Sequence, residues 1–533
     1  MTSSSAFLED TQAKPELISA LAPDNARRRF VINVASNLAY TLANVVAYMW
    51  FTPFLIAHLG IAVYGLVPLV NSVTSYMMLF TGGLDTAISR FLTIDLNRGD
   101  EAAANRTFNT ALCGLITIAI VLLPLGLAGA WLFPTLFQVP PGLENEARLL
   151  FGLSALAFLL TIIGSSFTVS AFAYHRFDLS NLVLGMRLAA QVGTVVLLFK
   201  LLSGRLWYVG FGILAAAIVS LAGYWLLWRR LAPQLHFRPS KFDRARLGEL
   251  ANMGGWTVVN QVGLLLCLNI GLIVVNTFFG AETTGRYGTI LLFPTLLETL
   301  GNAASVVLNP AILARYALQD FEGMRKLVSQ AVKLMGIAVA LPVGLLCGFS
   351  RPLLRIWLGP DFQSLDILLI ILVGHLSINM ATLPLRYVFT SYNKVRLQGI
   401  FTVILGVANL GLAITLARWG VWGAVGVAIA TTTVWTARNL FFISGYSAHV
   451  MNLRWWAFYP SLVTSAVDTL VVGLGSYGLT QIWWPQNWLG LGGMAIAVSL
   501  GYGILAYFVN LNREDRQLLF SLIQEPIRKY LYR

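Results

Sequence analysis

Charge is what this chain has least of. Of its 533 residues only 11% are charged and 57% are hydrophobic, whereas soluble domains carry about a quarter charged residues. The shortage excludes a soluble globular domain. Cysteine is nearly absent too, and Cys113, Cys267 and Cys347 all fall inside apolar runs; there they read as buried small hydrophobes, which excludes a disulfide or metal framework. The histidines His58, His175, His236, His375 and His449 are scattered without metal-ligand spacing. No phosphate-cradling Gly-rich loop precedes a Lys-Ser/Thr pair, so ATP hydrolysis is not expected. No cofactor is implied.

What fills the chain is apolar sequence. Runs of twenty or more residues recur along its length, each sufficient to cross a hydrocarbon core of about 30 Å as a helix. Fourteen spans are expected, near 30–58, 63–92, 107–132, 147–172, 179–202, 206–228, 251–279, 285–313, 327–349, 364–389, 396–417, 421–443, 457–480 and 488–510. The first follows a polar tail and Arg27-Arg28-Arg29, is too long for a signal-peptide core and has no small-residue cleavage site. The expected fold class is an all-α polytopic membrane protein.

An even number of spans puts both termini on one side. Arg27–Arg29, Arg98, Arg106, Arg176, the run Arg229 to Arg246, Arg315, Arg325, Lys326, Lys394 and Arg396 share that side, against a sparse set including Arg286, Arg351 and Arg355 opposite. By the positive-inside rule both termini are cytoplasmic. The same asymmetry accounts for the net charge of +13 without a nucleic-acid partner.

The chain repeats itself. Phe30–Leu59, a Gly-bearing break, Leu66–Leu92 and a charged loop recur as Leu250–Phe279, the break at Gly280–Gly288, a helix to Leu313 and a second charged loop. Shared letters align Tyr64-Gly65 with Tyr287-Gly288, Asn37 with Asn260, and the loop 96–101 with 318–323. Later, Tyr174-His175-Arg176 matches Tyr392-Asn393-Lys394. Two parallel six-helix bundles follow, 30–230 and 251–443, joined by a cytoplasmic linker 231–250. Outside them lie the polar tail 1–29, two extra transmembrane helices in 444–510 and a basic cytoplasmic tail 511–533. Parallel repeats relate by an axis along the membrane normal and hold the substrate between them.

Two apparent motifs are discounted. Gly473-Leu474-Gly475-Ser476-Tyr477-Gly478 has the dinucleotide spacing but sits within an apolar span, where small residues serve helix packing. Asn105-Arg106-Thr107 has the form of a glycosylation acceptor on the cytoplasmic side, where it is inert.

Polar residues at membrane depth are the candidates for function. Asn33, Asn37, Tyr40 and Asn44 are spaced to share one helix face, as are Glu298, Asn302, Ser305 and Asn309. Asn71, Ser75, Asp85 and Ser89 form a looser stripe, and Arg187, Gln191 and Thr194 another. Asn, Ser and Thr commonly serve interhelical hydrogen bonds worth on the order of 0.6 kcal/mol. A central charge costs roughly 2.5–3.5 kcal/mol or more, so Glu298 and Asp468 require a partner or a cavity. Arg187, Arg438, Lys333, Arg386 and Arg90 are nearer the cytoplasmic helix ends, and for Arg386 and Arg90 snorkelling to the interface is the alternative.

The elements Gly60-x-x-x-Tyr64-Gly65, Gly83-Leu84-Asp85-Thr86-Ala87-Ile88-Ser89-Arg90, Gly285-x-Tyr287 and Asn309-Pro310 resemble the polysaccharide-transport branch of the multidrug/oligosaccharidyl-lipid/polysaccharide exporter superfamily, over about residues 30–450. The resemblance implies two bundles in a V, alternating access, and a substrate such as an undecaprenyl-pyrophosphate-linked oligosaccharide moved across a bacterial inner membrane for surface polysaccharide assembly. It implies a flippase rather than an enzyme, with membrane lipids around it and a polysaccharide polymerase or glycosyltransferases as partners. A pyrophosphate suits the planar fork of Arg, making Arg90, Arg187, Arg386, Arg438, Asn37, Asn44, Asn260 and Asn302 the substrate-site candidates. Glu298, Asp85 and His375 are the coupling candidates, with a proton or sodium gradient left open. The alternative is a cation-coupled multidrug or metabolite exporter of the same superfamily, which is expected to use twelve helices and acidic residues. A membrane transferase is disfavoured, because the outer loops hold only scattered carboxylates such as Glu144, Glu146, Asp361 and Asp366.

Overall fold

A computed structural model describes residues 23–512 and 515–516, apart from positions 81, 175, 307 and 421. The first part of the polar tail, most of the basic tail, His175 and the side chain of Asp85 lie outside the described residues. Every described element is helical or a turn.

Helix α1 is Pro23–Leu59, and α2 is assembled from Ile61–Tyr64, Leu66–Ser75 and Gly82–Asn97, with the tight turn Tyr76–Phe80 before the last piece. Helices α3 (Glu101–Leu136), α4 (Glu144–Ala173), α5 (Phe177–Leu201) and α6 (Leu206–Leu231) are continuous. α7 consists of Arg244–Leu268 and the part of Ile270–Ile290 before Gly280. α8 continues beyond Gly280 through Leu292–Val306 and Asn309–Ala317. After α9 (Phe321–Gly348) comes the short amphipathic helix Ser350–Leu358, then α10 in three pieces, Asp366–Gly374, Leu376–Ala381 and Leu385–Ser391. α11 is Val395–Trp419, α12 is Ala424–Ala437 extended by a widened turn Arg438–Ser444 and by Gly445–Val450, α13 is Tyr459–Ile482 and α14 is Trp488–Leu505 with a widened turn Ala506–Asn510.

All fourteen expected spans thus coincide with helical segments. Eleven stretches are individually long and apolar enough to cross a bilayer, among the described residues. The count is lower because α7 and α8 merge into one stretch, Val258–Ala317, α2 is split so that its apolar piece Ile61–Ser75 is short, and α12, with Thr431 to Thr433, Arg438 and Asn439, is not among the eleven. The interruptions have local causes. At Gly60 (φ 78, ψ 160) and Gly280 (φ 81, ψ −179) the chain passes through a backbone region that is essentially closed to residues with a Cβ.

These two glycines also mark the repeat, in a register three positions from the one the Tyr-Gly and Asn letters suggest and two from the loop letters. A Cβ on Gly65 would lie 2.6 Å from the Gly285 nitrogen and 2.7 Å from the Ala281 oxygen, while one on Gly285 would run into the Ile61 oxygen. The contact is reciprocal, so the start of α2 meets the start of α8 with Gly65 opposite Gly285, not Gly288; Gly288 instead packs on Pro68. The charged loops agree. Asp100 caps α3 by accepting from the Ala103 N–H at 2.8 Å, after Gly99 at φ 71; Asp320 caps α9 by accepting from the Gly323 N–H at 2.9 Å, after Gln319 at φ 58. Each pair is offset by 220 positions. Further on, the Arg176 N–H donates to the Ala171 carbonyl and the Lys394 N–H to the Phe389 carbonyl, both at 2.8 Å, in the register expected.

The linker between the bundles is strapped to α3. Asn105 Nδ2 donates to the Gln234 carbonyl at 2.9 Å while its Oδ1 accepts from the His236 N–H at 2.8 Å. One turn later Asn109 does the same to the His236 carbonyl (2.9 Å) and the Arg238 N–H (2.6 Å). Two buried amides four residues apart therefore act as a neighbouring strand for an extended segment. The strap ends where Arg246 Nη2 meets Asp95 Oδ2 at 2.8 Å and its Nε donates to Thr107 Oγ1 at 3.0 Å, tying α7 to α2 and α3. Asn105 is consumed by this role, which leaves no glycosylation acceptor there.

The last two helices dock on the second bundle. Gly344 and Gly348 of α9 lie against Val472, Gly473 and Ser476 of α13, so the close packing expected of the α13 run is made by the glycines of α9, while Gly475 and Gly478 of α13 meet open space. Asp468 is buried and accepts from Tyr502 at 3.0 Å and Asn510 Nδ2 at 2.7 Å, while Lys333 of α9 pairs with Asp515 at 2.6 Å.

Candidate transport pathway

In the first bundle the polar stripe of α1 leans on α5. Asn44 Nδ2 donates to the Tyr40 hydroxyl at 3.4 Å, and Tyr48 donates to Gln191 Oε1 at 3.4 Å. Arg187, one turn before Gln191, is half-buried and within electrostatic reach of Tyr48 and of Tyr224 on α6. Lower on the same seam Asn33 Oδ1 accepts from the Asp178 N–H at 3.0 Å, and Asn181 Nδ2 donates to Ser36 at 3.0 Å. Asn37 and Arg90 are exposed on α1 and α2.

In the second bundle the candidates gather where helices are broken. Glu298 is half-buried on α8, and its carbonyl accepts from Asn302 Nδ2 at 2.8 Å. Arg386, at the start of the last piece of α10, is close enough for its charge to act on Glu298. Arg438 acts electrostatically with Arg386 in turn, but its surroundings differ. It is 1% exposed, donates from Nε and Nη2 to Thr402 Oγ1 at 3.2 and 3.0 Å and from Nη1 to Asn439 Oδ1 at 3.1 Å, and lies 4.7 Å over the Trp435 ring. It does not snorkel; it joins α11 to α12 at the widened turn. His375 stands at the first break of α10 and bonds Asn379, which also donates to Thr436 of α12 at 3.4 Å. Asn260 and Asn309 are half-buried and each has an amide oxygen without a hydrogen-bond partner, as does the Ser305 hydroxyl.

The structure therefore brings the candidates together in two groups. Arg187 stands with Tyr40, Asn44, Tyr48 and Gln191; Glu298 stands with Asn302, Arg386 and, more deeply, Arg438. The stripe on α8 does not stay on one face, since Asn302 is exposed and Ser305 buried on a helix interrupted beyond Val306.

Away from the termini the two bundles meet directly. Besides the Gly65–Gly285 contact, the Gln138 N–H donates to Asn276 Oδ1 at 2.9 Å and Gln138 Nε2 to the Thr277 carbonyl at 2.8 Å. Trp357 Nε1 donates to the Met49 carbonyl at 2.6 Å. Sequence reasoning missed these contacts, because each joins positions more than a hundred residues apart. The Asn105/Asn109 pair carried a signal in its helical spacing, which a glycosylation reading obscured.

The model of the family described as polysaccharide biosynthesis protein matches residues 30–316. The uncharacterized membrane protein EpsK of Bacillus subtilis (strain 168) is 30% identical over 497 residues, spanning 92% of this chain and 98% of its own. The chain belongs to the polysaccharide biosynthesis protein family. Among solved structures, this family member is similar to the lipid II flippase MurJ in an inward closed conformation (TM-score 0.62, 13% identity, 88% of this chain and 98% of that one). It is also similar to an inward-facing multidrug resistance MATE family transporter of the MOP superfamily (TM-score 0.54, 14% identity, 85% of this chain and 99% of that one). At such identities the likeness establishes the fold: two six-helix bundles, here with two additional C-terminal helices.

Proposed function

We propose that this polysaccharide biosynthesis family member is a flippase that carries a lipid-linked oligosaccharide of the undecaprenyl-pyrophosphate type across the bacterial inner membrane by alternating access, with both termini cytoplasmic. The observation that carries the reading is the charge inside the bundles. Arg187 and Arg386 stand half-buried in different halves, with Glu298 as the carboxylate near Arg386, which suits an anionic head group bridging the halves. Arg438, walled in by Thr402, Asn439 and Trp435, positions α12 behind that group instead of touching substrate. Asn44, Asn302 and the tyrosines of α1 offer hydrogen bonds to sugar hydroxyls. Glu298, His375 and Asp85 remain the groups through which a proton or sodium gradient would act, and a polymerase or glycosyltransferases are the partners the reading implies.

Glu298 is also what a cation-coupled multidrug exporter would use, and it keeps that reading as the second one. Binding separates them. Purified protein in nanodiscs should bind a pyrophosphate-linked lipid oligosaccharide, and Arg187→Ala and Arg386→Ala should each weaken binding by about tenfold or more, since hydrogen bonds to charged groups are worth about 1.5–3 kcal/mol. Tight binding of lipophilic cations, abolished by Glu298→Gln and indifferent to both arginines, would favour the exporter.

A further inference from the structure

Trp357 occupies an unusual position. It lies on Ser350–Leu358, whose apolar side buries Leu353, Leu354 and Trp357 while Arg351 and Arg355 face outward. The helix is held at one end by the Arg351–Asp366 ion pair and stops at Gly359, in the left-handed region at φ 105. From this frame the Trp357 ring packs edge-on against Phe293 of α8, with centroids 5.1 Å apart, and its indole N–H crosses to the other bundle to reach the Met49 carbonyl.

A carbonyl in the middle of a helix is normally taken by the N–H four residues on. For Met49 that residue is Pro53, inside α1, and proline has no N–H. The first bundle thus contains a carbonyl its own helix cannot satisfy, and the second bundle supplies the missing donor. The bond differs from the other contacts at that end because its acceptor exists only through Pro53. A carbonyl buried without a donor is costly, so parting the bundles there requires α1 to rearrange around Pro53 or to admit water.

We propose that Trp357 is a gating residue, whose indole, by capping the carbonyl that Pro53 leaves open, holds the two bundles shut on the side opposite the termini. The proposal rests on the alternating-access reading above. Breaking the cap is the step that opens that side.

The test uses the full chain in nanodiscs with Cys113, Cys267 and Cys347 replaced by Ala. Spin labels go on the exposed turns at that end, at Leu202 in the first bundle and Trp422 in the second. Trp357→Phe keeps a ring against Phe293 and removes only the donor. It should raise the ratio of long to short inter-label distances by about threefold to tenfold, the population equivalent of one neutral hydrogen bond. Pro53→Ala provides α1 with its own donor to Met49, so it should open the gate as well. In that background Trp357→Phe should change nothing further, because both substitutions act on one bond. An unchanged distance distribution in Trp357→Phe, or effects that simply add in the double variant, would overturn the gate. Substrate movement is followed separately in vesicles. Normal flipping with unchanged distances removes the gate and leaves the transport reading intact, whereas failure of the unmodified protein to flip substrate removes that reading itself.

Discussion

Glu298 and Arg386 lie on two interrupted helices, α8 and α10, near enough to feel each other's charge without forming a direct ion pair. A carboxylate at that depth that lost its neighbouring cation would bear the cost of an uncompensated charge in the bilayer, roughly 2.5–3.5 kcal/mol on insertion scales. Arg386→Gln should therefore lower thermal stability more than the double change Glu298→Gln with Arg386→Gln, a coupling of about 0.5–3 kcal/mol measurable by melting in detergent. Additive losses would mean that the two charges ignore each other. Glu298→Gln alone preserves shape and hydrogen bonding, and it should reach the membrane at normal abundance while losing gradient-driven transport. Wild-type transport by that variant would remove any coupling role for the charge. At Arg187 and Arg386 lysine should restore only part of the binding that alanine loses, because a point charge cannot present the planar fork.

Helices carry the next set of expectations. α3 holds the linker through Asn105 and Asn109, each bonded to two backbone groups. Replacing either by Ala leaves buried linker groups unpaired and should cost about 1–3 kcal/mol, visible as faster proteolysis within residues 232–243. An unchanged cleavage rate would show that the strap is held elsewhere. Gly285→Ala places a methyl against the Ile61 carbonyl and should destabilise by about 1–3 kcal/mol as an overpacked contact, whereas Gly475→Ala, which meets open space, should be neutral. The same contact shows why the repeat was legible but its register was not. A shift of three residues turns a helix by nearly a full circle, so an alignment on the letters Tyr-Gly keeps each apolar position on about the right face. Only the backbone approach of Gly65 to Gly285 and the matched caps at Asp100 and Asp320 fix the offset. Span positions were legible because length and composition alone decide which stretches cross a bilayer. Which polar side chains converge depends on how helices rotate against one another, and that left Asn302 exposed while Arg438 became the most deeply walled cation of the second bundle.

The whole molecule is a pair of bundles that touch at the end away from the termini, through Gly65 and Gly285, Gln138 and Asn276, and Trp357 and Met49. On the other side α7 is tied to α2 and α3 through Arg246, Asp95 and Thr107. On the sidedness proposed from the basic loops, a cysteine at Lys241 should react with membrane-impermeant maleimide only in inverted vesicles and one at Leu202 only in intact cells. The opposite pattern would invert the orientation. The central claim, that this architecture moves a lipid-linked oligosaccharide between leaflets, is tested most directly by reconstitution. The purified protein is placed in vesicles carrying an undecaprenyl-pyrophosphate oligosaccharide in both leaflets, and a glycosidase added outside then reads how much substrate it can reach. The account predicts that the accessible fraction climbs from about half to nearly all with the protein present, and stays near half with Arg187→Ala and Arg386→Ala combined. A fraction that stops at half with the unmodified, folded protein would contradict it.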